Sequence, residues 1–312
     1  MTSASYNSTH RKDRIYGLLG LVDQRNSHDL IVPDYNSDFS DVVVDTALVL
    51  IEGTRSFALF SLSGCKSEDT PSWAPQWNRP VIYARHETHF EEYFSHLTEF
   101  PGRDAFAYQV AENKRTLHAS GVIVAKIVEA HQIPPLETSQ DEAYRYGRNA
   151  EILRKFETEL TERPAFSDCL GNNPRDGLST LAHVFEGNRF SWTWENDVQR
   201  YDALMERLDP AESTTEAKSY FLTALTLVLK EESIFATRDG EGIGRTLIGP
   251  LGEGAEDGDS IALFPGCPWP IQLREADGEF RILGPVYLHG FMDMGEQAQV
   301  FKERAVIMIP LV

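Results

Sequence analysis

Apolar side chains recur at helical spacing near the start of the chain, where Ile15, Leu18, Leu19 and Val22 follow one another, with Gly17 and Gly20 loosening the pattern. Ile31-Val-Pro-Asp-Tyr35 reads as extended because Pro33 restrains the residue before it. Between Ser37 and Ile51 the stripe Phe39, Val42, Val43, Thr46 and Leu50 predicts a longer helix, with Ser37 as its cap. Pro71-Ser-Trp-Ala-Pro-Gln-Trp77 is irregular, and its two indoles must pack on something. Residues Thr116 to Ala130 alternate and are rich in Val and Ile, which predicts two short strands or one strand kinked at Gly121. Pro134-Pro135 closes that stretch.

Helical patterns then return over Glu142 to Leu160 and Trp194 to Leu208, and Ser213-x-x-Glu216 is a capping box for a helix running through Leu229. After Ser233 the rhythm changes to short apolar runs split by Gly, Pro and Asp. Ile261 to Phe264, Ile271 to Leu273, Phe280 to Leu283, Val286 to Gly290 and Val306 to Leu311 are the expected strands. The pattern predicts an α+β protein, with a helical central region packed against a small C-terminal antiparallel β-barrel or sheet. Residues 1–232 are expected to be mainly helical, apart from the strands near 116–130. Residues 233–312 are expected to be β-rich, the two parts forming one compact unit.

Composition narrows the function more than the fold. The chain has 312 residues, 41% of them hydrophobic and 25% charged, which fits a globular protein and not a disordered one. Its formal net charge of −19 repels phosphate backbones and anionic headgroups, so nucleic acid and membrane surfaces are poor partners. Cys65, Cys169 and Cys267 lie far apart with no C-x-x-C pair, and the polar N-terminus has no apolar signal core. No apolar run is long enough to span a bilayer. The expectation is a cytoplasmic protein.

Several constellations invite chemistry and then fail its requirements. His86-Glu-Thr-His89, with His96 beyond, lacks the four-residue spacing that puts two zinc ligands on one helix face, so no metal is expected. Gly240-Glu-Gly-Ile-Gly244 has acidic neighbours, and Pro250 stands where a dinucleotide fold needs a helix; it reads as a β-connection and no nucleotide cofactor is expected. Ser61-Leu-Ser63-Gly-Cys65 lacks the first glycine of a nucleophile elbow. Cys267 sits on a turn with no identifiable base and reads as buried or incidental. Asp257 and Asp259 read as a solvated acidic turn.

Two sets of blocks resemble a known family. Arg11-Lys-Asp-Arg-Ile-Tyr-Gly-Leu-Leu-Gly-Leu21, then Ile31-Val-Pro-Asp-Tyr35, then Pro71-Ser-Trp-Ala-Pro-Gln-Trp77 resemble the "PRDKIYALLGL … PDY … LPSWVPDW" succession of fungal heterokaryon-incompatibility proteins. Gly258-Asp-Ser-Ile-Ala-Leu-Phe-Pro-Gly266, Pro270-Ile-Gln-Leu-Arg274 and Gly284-Pro-Val-Tyr-Leu-His-Gly-Phe-Met-Asp293 are similar to that family's C-terminal blocks. Leu117 to Ile127 is similar to its "LxVxGxxxDxI" strands, with Ala125 where the acid usually falls. The resemblance implies the C-terminal region of such a protein. Met1 stands close ahead of the first block, so the N-terminal domain that names the family is expected to be absent.

The remaining signal is aromatic. Trp73, Trp77, Trp192, Trp194 and Trp269 lie in Pro- or Gly-flanked irregular segments, where indoles either plug gaps in a core or line an apolar pocket. Tyr287 and His289 alternate along an expected strand and are the candidate catalytic pair; the five tryptophans are the candidate substrate contacts. Two functions follow from these residues and the resemblance. One is a cofactor-free cyclase or isomerase of fungal secondary metabolism, acting on a small apolar metabolite and accelerating a ring closure of the [4+2] Diels–Alder type by shape and one hydrogen bond. The other is a non-enzymatic recognition or regulatory module that binds another protein.

Overall fold

A computed structural model describes residues 10–19, 31–64, 69–75, 100–137, 142–170, 232–238, 242–246 and 254–312. The protein is α+β, its sheet mostly antiparallel. The chain divides into two compact units that interleave along the sequence and do not split near residue 232. Met1–Val124, Ser260–Pro285 and Asp293–Val312 form one, and Ala125–Asp259 with Val286–Met292 form the other.

The first unit opens on a clasp built from two of the sequence blocks. Helix α1 (Asp13–Leu19) follows a turn at Arg11-Lys12. Lys12 is buried, and its ammonium donates to the backbone carbonyls of Asp34 (3.3 Å), Tyr35 (2.8 Å) and Ser37. One turn along, the Tyr16 hydroxyl lies 3.0 Å from both the nitrogen and the oxygen of Asp34, and the Tyr35 hydroxyl donates to Asp13 at 2.7 Å. Three carbonyls around one ammonium satisfy all its donors, which is what permits a lysine to be buried.

Helix α2 (Phe39–Thr54) buries Val42, Val43, Val44, Thr46, Ala47 and Ile51. The residue in capping position is Asp38, extended and without a side-chain cap bond; the expected cap, Ser37, donates its hydroxyl to Asp34 instead. Arg55 ends the helix in the left-handed conformation (φ 50°). A 3-10 turn (Ala58–Leu62) then brings Phe57 and Phe60 onto Phe264 and Phe106, with ring centroids 4.9 to 6.0 Å apart. These rings, Trp73 and the α2 stripe make one continuous core.

Strands β1 (Tyr108–Val110), β2 (Leu117–Gln132), β5 (Ser260–Leu263), β6 (Ile271–Ala276), β7 (Glu279–Leu288) and β8 (Ile307–Leu311) supply the sheet. Two intervening strands, β3 (Ser233–Thr237) and β4 (Ile243–Thr246), belong to the second unit. In the first unit, β2 pairs antiparallel with β1 and with β8, Leu117 opposite Leu311 and Gly121 opposite Ile307. There is one long β2 and no pair of strands. Gly121 sits there because a Cβ would lie 3.0 Å from the Leu263 carbonyl, the Phe264 ring and Ile309. β6 pairs with β7 through a register shift that sets Gln272 opposite Gly284 and Leu273 opposite Ile282. Val286 onward then pairs in the second unit, so the expected break between Leu283 and Val286 is a bulge inside one strand.

In the second unit the later half of β2 pairs with β3 (Ser233–Thr237), β3 with β4 (Ile243–Thr246), and β4 with Val286–Leu288 of β7. Helix α3 (Glu142–Thr161) and helix α4 (Pro164–Leu170) bury Phe156, Leu160 and Phe166. Buried Asn149 of α3 accepts from the Glu137 nitrogen at 2.6 Å and donates to its oxygen at 3.2 Å, fixing the Pro134-Pro135 segment. The expected helices at 194–208 and 213–229 lie outside the described residues.

Candidate functional site

A ligand-sized concavity lies in the first unit, between a turn and a helix. Helix α5 (Met294–Glu303) forms where Asp293, extended at the cap, accepts from the nitrogens of Gly295 (2.6 Å) and Glu296 (3.3 Å). Lys302 in its last turn complements the helix dipole. Met294, Ala298, Phe301 and Lys302 fall at i, i+4, i+7 and i+8, one face of the helix, and this face is one wall. Buried Gln297, on an adjoining face, donates to the Pro268 carbonyl at 3.3 Å and ties α5 to the turn that carries Trp269.

The other wall is Phe100 to Ala105. Pro101 accepts from the Gly266 nitrogen at 3.3 Å, and a 3-10 turn (Arg103–Ala105) follows Gly102. Gly102 is left-handed (φ 75°), and a Cβ there would stand 2.9 Å from the Phe301 ring, so the close approach of ring to backbone requires glycine. The result is a half-open groove of about 400 Å³. Phe100, Pro101, Met294, Ala298 and Phe301 supply apolar surface; Arg103, Asp104 and Lys302 are exposed at its polar margin. A groove of this size and lining can take a small apolar body and orient a polar end. Among the described residues it brings no nucleophile and base together.

The residues expected to form the site are placed otherwise. Trp73 is fully enclosed in the core, its indole nitrogen donating to the Arg115 carbonyl at 3.0 Å and its own carbonyl accepting from Ser63 at 2.8 Å. That is a packing role and not a pocket wall. Trp269 is half-buried and is not among the residues lining the groove. Tyr287 is buried in β7 opposite Arg245; His289 is half-buried just beyond the strand, its nitrogen donating to the Ile243 carbonyl at 3.0 Å. This pair belongs to the second unit, Trp73 and Trp269 to the first. Trp77, Trp192, Trp194 and the histidines 86, 89 and 96 lie outside the described residues.

The other sequence constellations resolve into structure. Gly242 and Gly244 belong to the β3–β4 hairpin, where a Cβ on Gly244 would overlap the Tyr287 carbonyl and the Phe235 ring. Ser61 donates within its own 3-10 turn, to Ala58 at 2.6 Å. Cys267 is buried, and that burial raises its thiol to about 12, so it holds no thiolate at neutral pH. Asp257 is exposed as expected, but Asp259 is buried and accepts from the Glu256 nitrogen at 3.0 Å: it shapes the turn before β5 and is not a solvated acid.

The groove itself was missed. Its signal was present in Asp293-Met-Gly-Glu296, a cap pattern ahead of the Met294, Ala298, Phe301 spacing, which the β-rich reading of the C-terminal part passed over. No helix among the described residues is long and apolar enough to cross a membrane. No family model, no curated protein and no solved structure matches this chain.

Proposed function

We propose that this protein is a recognition or regulatory module of the heterokaryon-incompatibility type, and that it takes up a small apolar metabolite in the groove between α5 and the Phe100–Ala105 turn. The observation that carries the binding reading is the groove itself: about 400 Å³, an apolar floor, and charged groups held at its edge. The family part of the reading rests on the sequence blocks alone; two of them, the Lys12 and Tyr16 block and the Pro33-Asp34-Tyr35 block, bond to each other through five polar contacts. The test is binding of an environment-sensitive apolar dye, compared between the protein and an Ala298→Trp variant that fills the groove. Dye uptake that survives Ala298→Trp unchanged removes the groove as the site, and uptake of a peptide in its place returns the module to protein recognition.

A cofactor-free ring closure is the second reading, and the same volume favours it, since it is large enough to hold a polyene folded near its reactive conformation. Conformer selection works best in an enclosed site, and this groove is open along one side. An unchanged rate and stereochemistry of polyene cyclisation at saturating protein sinks that reading.

A further inference from the structure

We infer that the Asp277-Gly278 turn is a site of spontaneous backbone modification, where aspartate converts to isoaspartate, and that the same dipeptide at Asp257-Gly258 is protected from it. The inference is independent of the groove. A glycine after an aspartate leaves the amide nitrogen between them unhindered, because no side chain stands beside it. That nitrogen can attack the side-chain carboxyl carbon and form a C–N bond, while the carboxyl hydroxyl leaves with the amide proton as water. The product is a five-membered succinimide. Water then adds back at one of its two carbonyls. Opening at the backbone carbonyl routes the main chain through the side-chain carbon and lengthens it by one methylene; opening at the other restores aspartate.

Both dipeptides are exposed, and both glycines have open space around them. They differ in what the reacting amide does. Strands β6 and β7 are joined by a two-residue turn, Ala276 opposite Glu279, left-handed at Asp277 (φ 55°) and at Gly278 (φ 83°). This is the mirror-image hairpin turn that Asp-Gly favours. Among the described residues, neither the Asp277 carboxylate nor the Gly278 nitrogen makes a hydrogen bond. At the other site the Gly258 nitrogen donates to the Ile127 carbonyl at 2.9 Å, and the Asp259 nitrogen closes the turn onto Glu256 at 3.2 Å. Attack there requires the amide first to give up its bond to β2. Gly278 has no such bond to lose.

The two sites are compared in one chain. Asp277→Asn and Asp257→Asn close the same ring with loss of ammonia, so conversion reads as the mass gain of deamidation in peptide mapping. Asn suits the left-handed turn position as Asp does. In the folded protein at neutral pH, the 257 site is expected to convert about five- to tenfold more slowly than the 277 site. In urea the two rates are expected to converge, since acidic residues follow both dipeptides. In the parent chain, isoaspartate resolved by electron-transfer fragmentation is expected at 277 ahead of 257, a measurement that stands should either variant be unstable. Equal rates in the folded protein, faster conversion at 257, or no conversion at 277 overturns the inference. A rate ratio that persists in urea overturns it too, because local sequence and not the Ile127 bond would then set the difference.

Discussion

Two lysines define two regions of the first unit. Lys12 lies inside the N-terminal clasp, buried, with three backbone carbonyls around its ammonium. Lys302 lies at the margin of the α5 groove, exposed, and among the described residues it forms no ion pair. The first sits in a block with a recognisable pattern and the second in none. Pattern here marks a packing problem already solved: a buried charge must have every donor used, which constrains its neighbours over many residues. A surface groove constrains only spacing and leaves little trace.

The sharpest way to test this contrast is to damage each region. Trp73→Ala, which empties the core beside the clasp, is expected to cost about 3–5 kcal/mol in urea unfolding, because the indole is fully enclosed and its cavity cannot collapse. Lys12→Met is expected to cost about 3 kcal/mol by the same measurement, since it leaves carbonyls without their donor. Lys12→Arg should not restore it, as a planar guanidinium does not fit a cradle shaped around a compact ammonium. Lys302→Met is expected to change stability by less than about 0.5 kcal/mol. Equal losses for the two lysines would erase the distinction between the regions.

A smaller effect should appear in the second unit. Burial works against the charged form of Glu129, but hydrogen bonds from His131 (2.8 Å) and Arg163 (2.7 Å) outweigh it and hold its pKa below the usual value. Stabilisation from that carboxylate is therefore full above the unfolded value of about 4.3 and is lost as pH falls through the lower folded one. Glu129→Gln should be less stable than the parent at pH 7, with the gap closing under acid; a gap that widens there reverses the sign. Smallest of all, Cys267 should resist alkylation at pH 8 in the native state and react once the protein is unfolded in urea, as peptide mapping would show.

Strands β2 and β5 to β8 and the α2 helix were legible because burial imposes period on them, whereas β1, β3 and β4 were not read as strands. Val42 and Val43 on α2, and Leu117 and Ala119 on β2, are residues that fill the core. The pairing of distant segments was not legible. Nothing local tells Leu117 that its partner is Leu311, or that β7 pairs with one neighbour as far as Pro285 and with another from Val286. The site was hardest. Trp73 in a Pro-flanked segment reads the same whether it walls a pocket or seals a core, and only the enclosure of its ring and the bond to Arg115 decide it.

The interleaving of the two units sets an order of events during synthesis. Leu117 emerges from the ribosome long before Leu311, yet the two sit side by side in the finished sheet. The first half of β2 therefore stays open on its β8 side until a segment far along the sequence has been made, a separation that slows closure and invites mispairing with other chains. Strand β8 is the piece that lets the first unit shut. Deleting Ile307 to Leu311 should be far more damaging than the length of the strand suggests.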